Sequence, residues 1–486
     1  MNSTLSSLEP KSLWGHFDQL RQVPRPSQHE AAAIAHVKRW AAGHGYAVEQ
    51  DAIQNVVVRV PATPGHEKAR LVILQGHLDM VAEKDKGFEF DFLKDAIPVR
   101  VDGDWVIADH TTLGADNGIG VATALATVDD PSVVHGPLEL LFTIDEETAL
   151  TGASSLDGKL LKGRTLLNLD SEEDGTLFVG CAGGCTTDST FDLERVPLPA
   201  GFAAVKVEVG GLKGGHSGLM IHENRGNSIK VLARVLAALL EKHAVLLGTI
   251  EAGNKHNAIP REASAVVAIP TGTLGAAKDV ASGIVKMELT ERGGIDPDLT
   301  IALTEVKGAP GTVTSPTCTR RFVDMLLAIP NGVIVVSRDI PGLTETSSNL
   351  AVIRTEGDRV KVTCSSRSSV APAVRSVLDQ LAAVVRLAGG RTTESGGYPG
   401  WQPDMSSALL RAARETHRKL RGQDPKVTAI HAGLECGIIG EKLGGGVDML
   451  SYGPELQGVH APGEKVNIPS VARFWEFHKA LLASLA

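Results

Sequence analysis

Five short segments of the chain set acids and histidines at the ends of apolar runs: GHLDMV with His77 and Asp79, TTLGADNGIG with Asp116, FTIDEET with Asp145, Glu146 and Glu147, NLDSEE with Asp170, and GPELQGVHAPGEKVNI with His460. In open α/β sheets the carboxyl ends of the strands form the rim where ligands bind. His77 and Asp79 follow the strand-like VILQ with one residue between them, so period-two geometry points both side chains the same way. A histidine that ligates a metal needs its second ring nitrogen held by an acceptor, and a neighbouring carboxylate supplies one. The three consecutive acids repel one another unless cations or solvent relieve them. On an extended segment Glu146 and Glu147 point to opposite sides and can serve different roles. Asp116 by itself reads first as a helix cap, and His460 by itself as an ordinary loop histidine. Together, two histidines and three carboxylates make a mixed nitrogen and oxygen ligand set. Such a set suits zinc, or manganese or cobalt, with positions left open for water and substrate.

The elements that must position these residues follow from periodicity. Segments 54–60, 70–75, 138–145 and 165–170 read as strands, and 28–44 and 118–128 as helices, which predicts an α/β fold with a mostly parallel sheet covered by helices. From about residue 186 the pattern changes to paired strands followed by single helices, at 203–211, 227–243 and 264–272. It repeats at 318–329, 349–357, 359–366 and 372–388. This predicts an inserted α+β domain of two related lobes. The glycine-rich stretch 389–400 reads as a hinge, after which helix-like 406–420 resumes the first domain. The expected division is 1–185 and 397–486 for a discontinuous catalytic domain, with 186–396 inserted as a lid.

At 486 residues the chain has room for two cores and a water-excluding site. The net charge of −9 is spread out and basic residues form no runs, which argues against nucleic-acid and membrane partners and for a small-molecule substrate. No apolar stretch is long enough to span a bilayer, and the N-terminal residues lack the layout of a signal peptide, so a cytoplasmic protein is expected. Of five cysteines only Cys181 and Cys185 are close in sequence, with no further pair to complete a zinc site. All five read as reduced, mostly buried thiols.

The segments HLDMV, GADNGIG, DEET, NLDSEEDG and GVHAPGE resemble the metal-site signature of the co-catalytic metallopeptidase superfamily that includes carboxypeptidase G, aminoacylase and the dipeptidases. Within it, TTLGADNGIG, NLDSEEDGTLFVGCAGG and GLKGGHSG are most similar to the bacterial aminoacyl-histidine dipeptidases. The resemblance runs from about residue 10 to the C-terminus, with no ligand position substituted. It implies two divalent metal ions, zinc foremost, with His77 and Asp170 holding one, Glu147 and His460 the other, and Asp116 bridging. It also implies that Asp79 orients His77, that Glu146 is the general base, and that the Asp116–Asn117 peptide is cis. In the inserted domain, His216 would polarise the scissile carbonyl, Asn257 would bind substrate, Arg367 would clamp the substrate's C-terminal carboxylate, and Gly433 would bring backbone close to it. His222 and His256 receive no role. The implied activity is hydrolysis of unblocked dipeptides, Xaa-His substrates such as carnosine among them, by a homodimer. An N-acylated amino acid or a tripeptide as substrate is the alternative that keeps the metals. A catalytically silent, metal-stabilised binding protein would be expected to have lost Glu146 or a ligand, and none is lost.

Overall fold

The continuous apolar runs form the middle of an eight-stranded sheet in the computed structural model, which describes residues 5, 7–307 and 310–486. In sheet order the strands are Ala47–Gln50, Val56–Val60, Leu138–Thr143, Val72–His77, Thr165–Asn168, Asp448–Ser451, Thr176–Cys181 and Lys426–Ile430. The central four run parallel, while the pairings made by Val56–Val60 and the pairing of Thr176–Cys181 with Asp448–Ser451 are antiparallel, so the sheet is mixed around a parallel centre. Every residue of Val72–His77, Leu138–Thr143 and Thr165–Asn168 is buried, as strands covered on both faces require. Buried Glu139 is tolerated mid-strand because Arg59 pairs with it and the Lys162 and Gly163 N–H groups donate to its carboxylate.

Register decides what this sheet can present. His77 lies opposite Thr143, and Gln75 opposite Asn168, so the chain leaves all three strands at one edge. The helix Ala115–Asp129 is buried along most of its length and starts at that edge. Asn117 Nδ2 there donates to the Leu169 carbonyl at 2.7 Å, tying the helix start to the residue before Asp170. The Asp116–Asn117 peptide is cis. Glu146 and Glu147 do not lie on an extended segment, as alternation had implied, but open the short helix Glu146–Ala149 after Asp145 turns the chain at φ 48°.

The chain divides into two compact units, Met1–Gly180 with Trp401–Ala429 and Leu434–Ala486 in one, and Cys181–Gly400 with Ile430–Gly433 in the other. The residues around Gly433, expected within the resumed first domain, thus divide, with 430–433 in the second unit. That unit holds a nine-stranded sheet, in which eight strands belong to two βαββαβ halves and the ninth, Gly332–Val336, pairs with Thr344–Glu356 at its side. One half runs Phe202–Gly210, helix Ser228–Leu240, Leu246–Ala252, Ala263–Pro270, helix Leu274–Arg292, Thr300–Glu305. The other runs Gly183–Asp192, helix Pro316–Ala328, Thr344–Glu356, Arg359–Ser368, helix Ala371–Leu387, Arg391–Tyr398, so the first half is inserted after the second half's first strand. Their strand orders mirror each other across an antiparallel junction where Glu251 faces Arg354 and Ala252 faces Ile353. Most of 389–400, read from its glycines as a hinge, is an ordered strand, and the boundary between the units falls at its end, between Gly400 and Trp401. Residues Arg391–Tyr398 pair with Gly183–Asp192, and the alternating RTTES segment supplies a regular edge strand. Cys181, Cys318, Cys364 and Cys436 are buried and Cys185 is half-buried, all unbridged. No helix among the described residues is long and apolar enough to cross a membrane.

In the C-terminal helix Ile468–Leu485, His478 is fully buried, with Nε2 2.9 Å from Thr127 Oγ1 and Nδ1 2.7 Å from Tyr452 Oη. Burial pushes its pKa down to about 3, below the unfolded value of about 6.5. The neutral ring is the native form, so its contribution is fully present above about pH 6.5 and is lost as pH falls toward 3. Replacing His478→Gln is expected to flatten the slope of unfolding free energy against pH in that window by up to about 1.4 kcal/mol per pH unit. Urea denaturation at a series of pH values measures it, and an unchanged slope would refute a neutral buried ring.

Candidate active site

At the sheet edge of the first unit, two imidazoles share one carboxylate. His77 Nε2 lies 2.9 Å from Asp116 Oδ1 and 3.3 Å from Asp170 Oδ1. His460 Nε2 lies 3.3 Å from the other oxygen, Asp116 Oδ2, and 2.9 Å from Glu147 Oε2. Glu146 has a carboxylate oxygen in the same cluster as His77 and Glu147. All seven first-domain residues singled out in the sequence, Asp79 included, meet here. Sheet register accounts for His77, Asp79 and Asp170, the turn after Thr143 for Glu146 and Glu147, the start of the buried helix for Asp116, and the loop before Ile468–Leu485 for His460.

The frame around them was not legible as motifs. Asp79 is wholly buried, with Oδ1 3.3 Å from His77 Nδ1 in ion-pair contact without hydrogen-bond alignment. Its two oxygens accept the Glu146 and Glu147 N–H groups at 3.0 and 3.2 Å, so it also caps the short helix that carries both glutamates. Ser27 Oγ donates to Asp79 at 2.7 Å. Glu464 accepts the Leu113, Gly114 and Ala115 N–H groups at 2.7, 3.0 and 2.8 Å, holding the turn that presents Asp116. Buried Arg25 donates to the Leu78, Asp79 and Gly114 carbonyls, joining the His77 and Asp116 segments. Glu464 closes the GVHAPGE segment, four residues after His460, but received no role from the sequence, and Arg25 within PRPS lay outside every segment singled out.

The electrostatics are those of acids gathered out of water. Burial lifts Glu146 well above the usual carboxylate range, opposed by His77 and reinforced by Asp170, Glu435 and Glu147. Burial likewise raises Asp170 against the pull of His77. For Asp79, burial is outweighed by His77, the Glu146 N–H and Ser27, and its pKa falls to about 2. His460 is pushed up to about 11 by hydrogen bonds to Asp116 and Glu147. Glu147 Oε1 and Asp170 Oδ1 are buried without hydrogen bonds. This donor set fits two divalent cations. Bonds of about 2.0–2.2 Å in tetrahedral geometry place neighbouring ligand atoms roughly 3.3 Å apart, against the 2.9–3.3 Å found about each histidine. Replacing Glu464→Gln puts an amide N–H against backbone donors and is expected to weaken divalent-ion binding about 10- to 100-fold. Competition with a chromogenic chelator reads the affinity while circular dichroism checks the fold, and undiminished affinity would exclude a supporting role for Glu464.

The remaining expected residues belong to the second unit. His216 lies in the two-residue strand Gly215–His216, paired with Ala258–Ile259, which sets Asn257 beside it as a half-buried turn residue. The Gly218 and Leu219 N–H groups point to His216 Nδ1 at 3.3 and 3.0 Å, which makes Nδ1 the acceptor and leaves the proton on Nε2. Burial, with the charges of Arg367 and His256, lowers its pKa and keeps it neutral. Arg367 is 7 % exposed, and its Nη1 donates to Tyr398 Oη at 2.9 Å. Gly433 follows His431, whose Nε2 lies 2.7 Å from Ser347 Oγ. His222 and His256 are exposed.

Residues 200–292 match the peptidase dimerisation domain of the M20 peptidases. The chain is 41% identical over 486 residues to the cytosol non-specific dipeptidase of Escherichia coli K12, covering 99% of both chains. It is similar to the crystal structure of the aminoacylhistidine dipeptidase of Vibrio alginolyticus, with 41% identity, a TM-score of 0.93, and 99% and 98% of the two chains covered. Aminopeptidase PepT of Bacillus cereus shares the fold at 15% identity and a TM-score of 0.56, with 98% and 99% of the chains covered. Coverage end to end at this identity makes the chain a member of the cytosol non-specific and aminoacylhistidine dipeptidase family of M20 peptidases.

Proposed function

We propose that the protein is a two-metal dipeptidase that cleaves unblocked dipeptides, Xaa-His among them, and works as a cytoplasmic homodimer. The observation that carries the reading is Asp116, one oxygen against the His77–Asp170 pair and the other against the His460–Glu147 pair. On this reading His77 and Asp170 would hold one ion and His460 and Glu147 the other, with Asp116 shared between the two groups. Zinc is the ion that this imidazole and carboxylate set favours, with manganese and cobalt accepted. Two such ions would supply Lewis acidity and a water acidic near neutral pH. The dimerisation-domain match supports the homodimer, and the cytosolic relative supports the location.

The chain's own groups do the rest. Glu146 would stay off the ions, take the water's proton on its carboxylate and deliver it to the leaving amine. Asp79 fixes the His77 ring and the helix turn bearing both glutamates. His216, with its proton on Nε2, is the donor for the scissile carbonyl. Arg367 receives the substrate's C-terminal carboxylate, which a buried guanidinium binds through a two-pronged, charge-assisted pair.

The test is hydrolysis of β-Ala-His, Gly-Gly, an N-acetyl amino acid and a tripeptide by chelated protein before and after zinc, manganese or cobalt is restored. Metal-dependent cleavage confined to the free dipeptides is expected, and preference for the acetylated or longer substrate overturns the substrate class. Glu146→Gln should lower kcat by about 10²- to 10⁴-fold with metal content unchanged, and retained turnover would remove Glu146 from the mechanism.

A further inference from the structure

Arg367, Gly184 and Tyr398 form one row across three neighbouring strands. Arg367 of Arg359–Ser368 is the cross-strand partner of Gly184 in Gly183–Asp192, and Gly184 is in turn the partner of Tyr398 in Arg391–Tyr398. Cross-strand partners project from the same face, but residues two strands apart stand roughly 10 Å from one another. Arg367 and Tyr398 nonetheless meet, Nη1 donating to Oη at 2.9 Å, because the residue between them has no side chain. A Cβ on Gly184 would stand 2.8 Å from Tyr398 Oη and 2.9 Å from Cζ and Cε1. The tyrosine ring occupies the place that any other residue at 184 would fill.

The edge strand is also bent to achieve this. Ser395 pairs with Thr186 and Tyr398 with Gly184, so three steps on one strand match two on the other. Without that extra residue Gly397 would oppose Gly184 and the tyrosine would face the other side of the sheet. Gly396, at φ +58°, lies within the bulge. The cation that this arrangement reaches has no anion of its own. Arg367 is 93 % buried, its Nε makes no hydrogen bond, and among the described residues no carboxylate pairs with it. A buried charge without a counter-ion is costly to keep, and Tyr398 occupies only one of its five N–H donors.

We propose that Tyr398 is a positioning residue of the substrate-carboxylate site: it holds one arm of the Arg367 guanidinium so that the other donors face the free C-terminal carboxylate of the peptide. The bulge and Gly184 exist to bring its hydroxyl there. The inference rests on the reading of Arg367 given above, and its test separates the two. Full-length, metal-loaded protein is assayed on a dipeptide and on the same dipeptide amidated at its C-terminus, comparing the unaltered chain with Tyr398→Phe, Gly184→Ala and Arg367→Ala.

Tyr398→Phe keeps the ring and loses only the hydroxyl. It should raise KM for the free dipeptide about tenfold, leave kcat within about twofold, and leave kcat/KM for the amide unchanged. Gly184→Ala, by displacing the ring, should produce the same pattern through an untouched Tyr398. Arg367→Ala should abolish the preference for the free acid over the amide. If Arg367→Ala does so while Tyr398→Phe and Gly184→Ala do not shift KM, the positioning role is overturned and the role of Arg367 stands. If the acid and amide suffer equally in Tyr398→Phe, the hydroxyl is merely structural and the inference fails. If Arg367→Ala leaves the preference intact, the carboxylate reading of Arg367 fails, and with it this one.

Discussion

Like charges out of water repel, and the architecture of the first unit is organised around forcing them together. Asp116, Glu146, Glu147 and Asp170 converge with two imidazoles at a single sheet edge, where burial raises Glu146 and Asp170 well above ordinary carboxylates. No covalent bond holds this cluster. It persists because each member sits at the end of an element whose other contacts are already fixed: a buried parallel strand for His77 and Asp170, a buried helix for Asp116, a capped turn for the glutamates. A cluster of this kind loses free energy in the empty protein and regains it when cations arrive, which couples the fold to the ligand.

Three groups carry the strain of that arrangement, and each serves two segments at once. Asp79 touches His77 and caps the helix bearing Glu146 and Glu147. Glu464 ties the His460 loop to the Asp116 turn. Arg25 links the segment after His77 to that same turn and places a positive charge behind the acids. Substituting any one of them disturbs more than one ligand, so these positions should behave as coupled rather than additive.

Much of this was legible in the sequence because its physics is local. Runs such as VILQ, LELLFT and TLLN read as covered strands, and acids directly after them then lie at the rim, as the structure places them. The roles of the frame were not legible, because Arg25 and Glu464 act on residues 53 to 351 positions away and no periodicity marks those partners. The strand within 389–400 was hidden by its glycines for a related reason. Glycine signals freedom when only neighbours are considered, whereas Gly396 lies in a bulge that is defined by pairing with a strand some two hundred residues earlier. The turn at Asp145 shows the same limit: three acids in a row gave no sign of the helical turn that Asp79 caps.

The second unit poses a different problem, which is to fix recognition groups that come from distant parts of the chain. His216 belongs to the inserted half and Arg367 to the other, and the sheet junction between Glu251 and Arg354 joins the halves into one surface. A finer tie lies closer to both groups. Asn349, two residues beyond the partner of Arg367 on Thr344–Glu356, donates from Nδ2 to the Ala258 carbonyl at 2.8 Å, and Ala258 is the strand partner of His216. The imidazole and the guanidinium are therefore linked through three short steps rather than through either half's core. On the proposed roles, one group meets the scissile carbonyl and the other the carboxylate one residue further on, so the span between the two targets is set by the backbone of a single residue. A linkage this short holds the two groups at a defined spacing within the second unit, as recognition of that single residue requires.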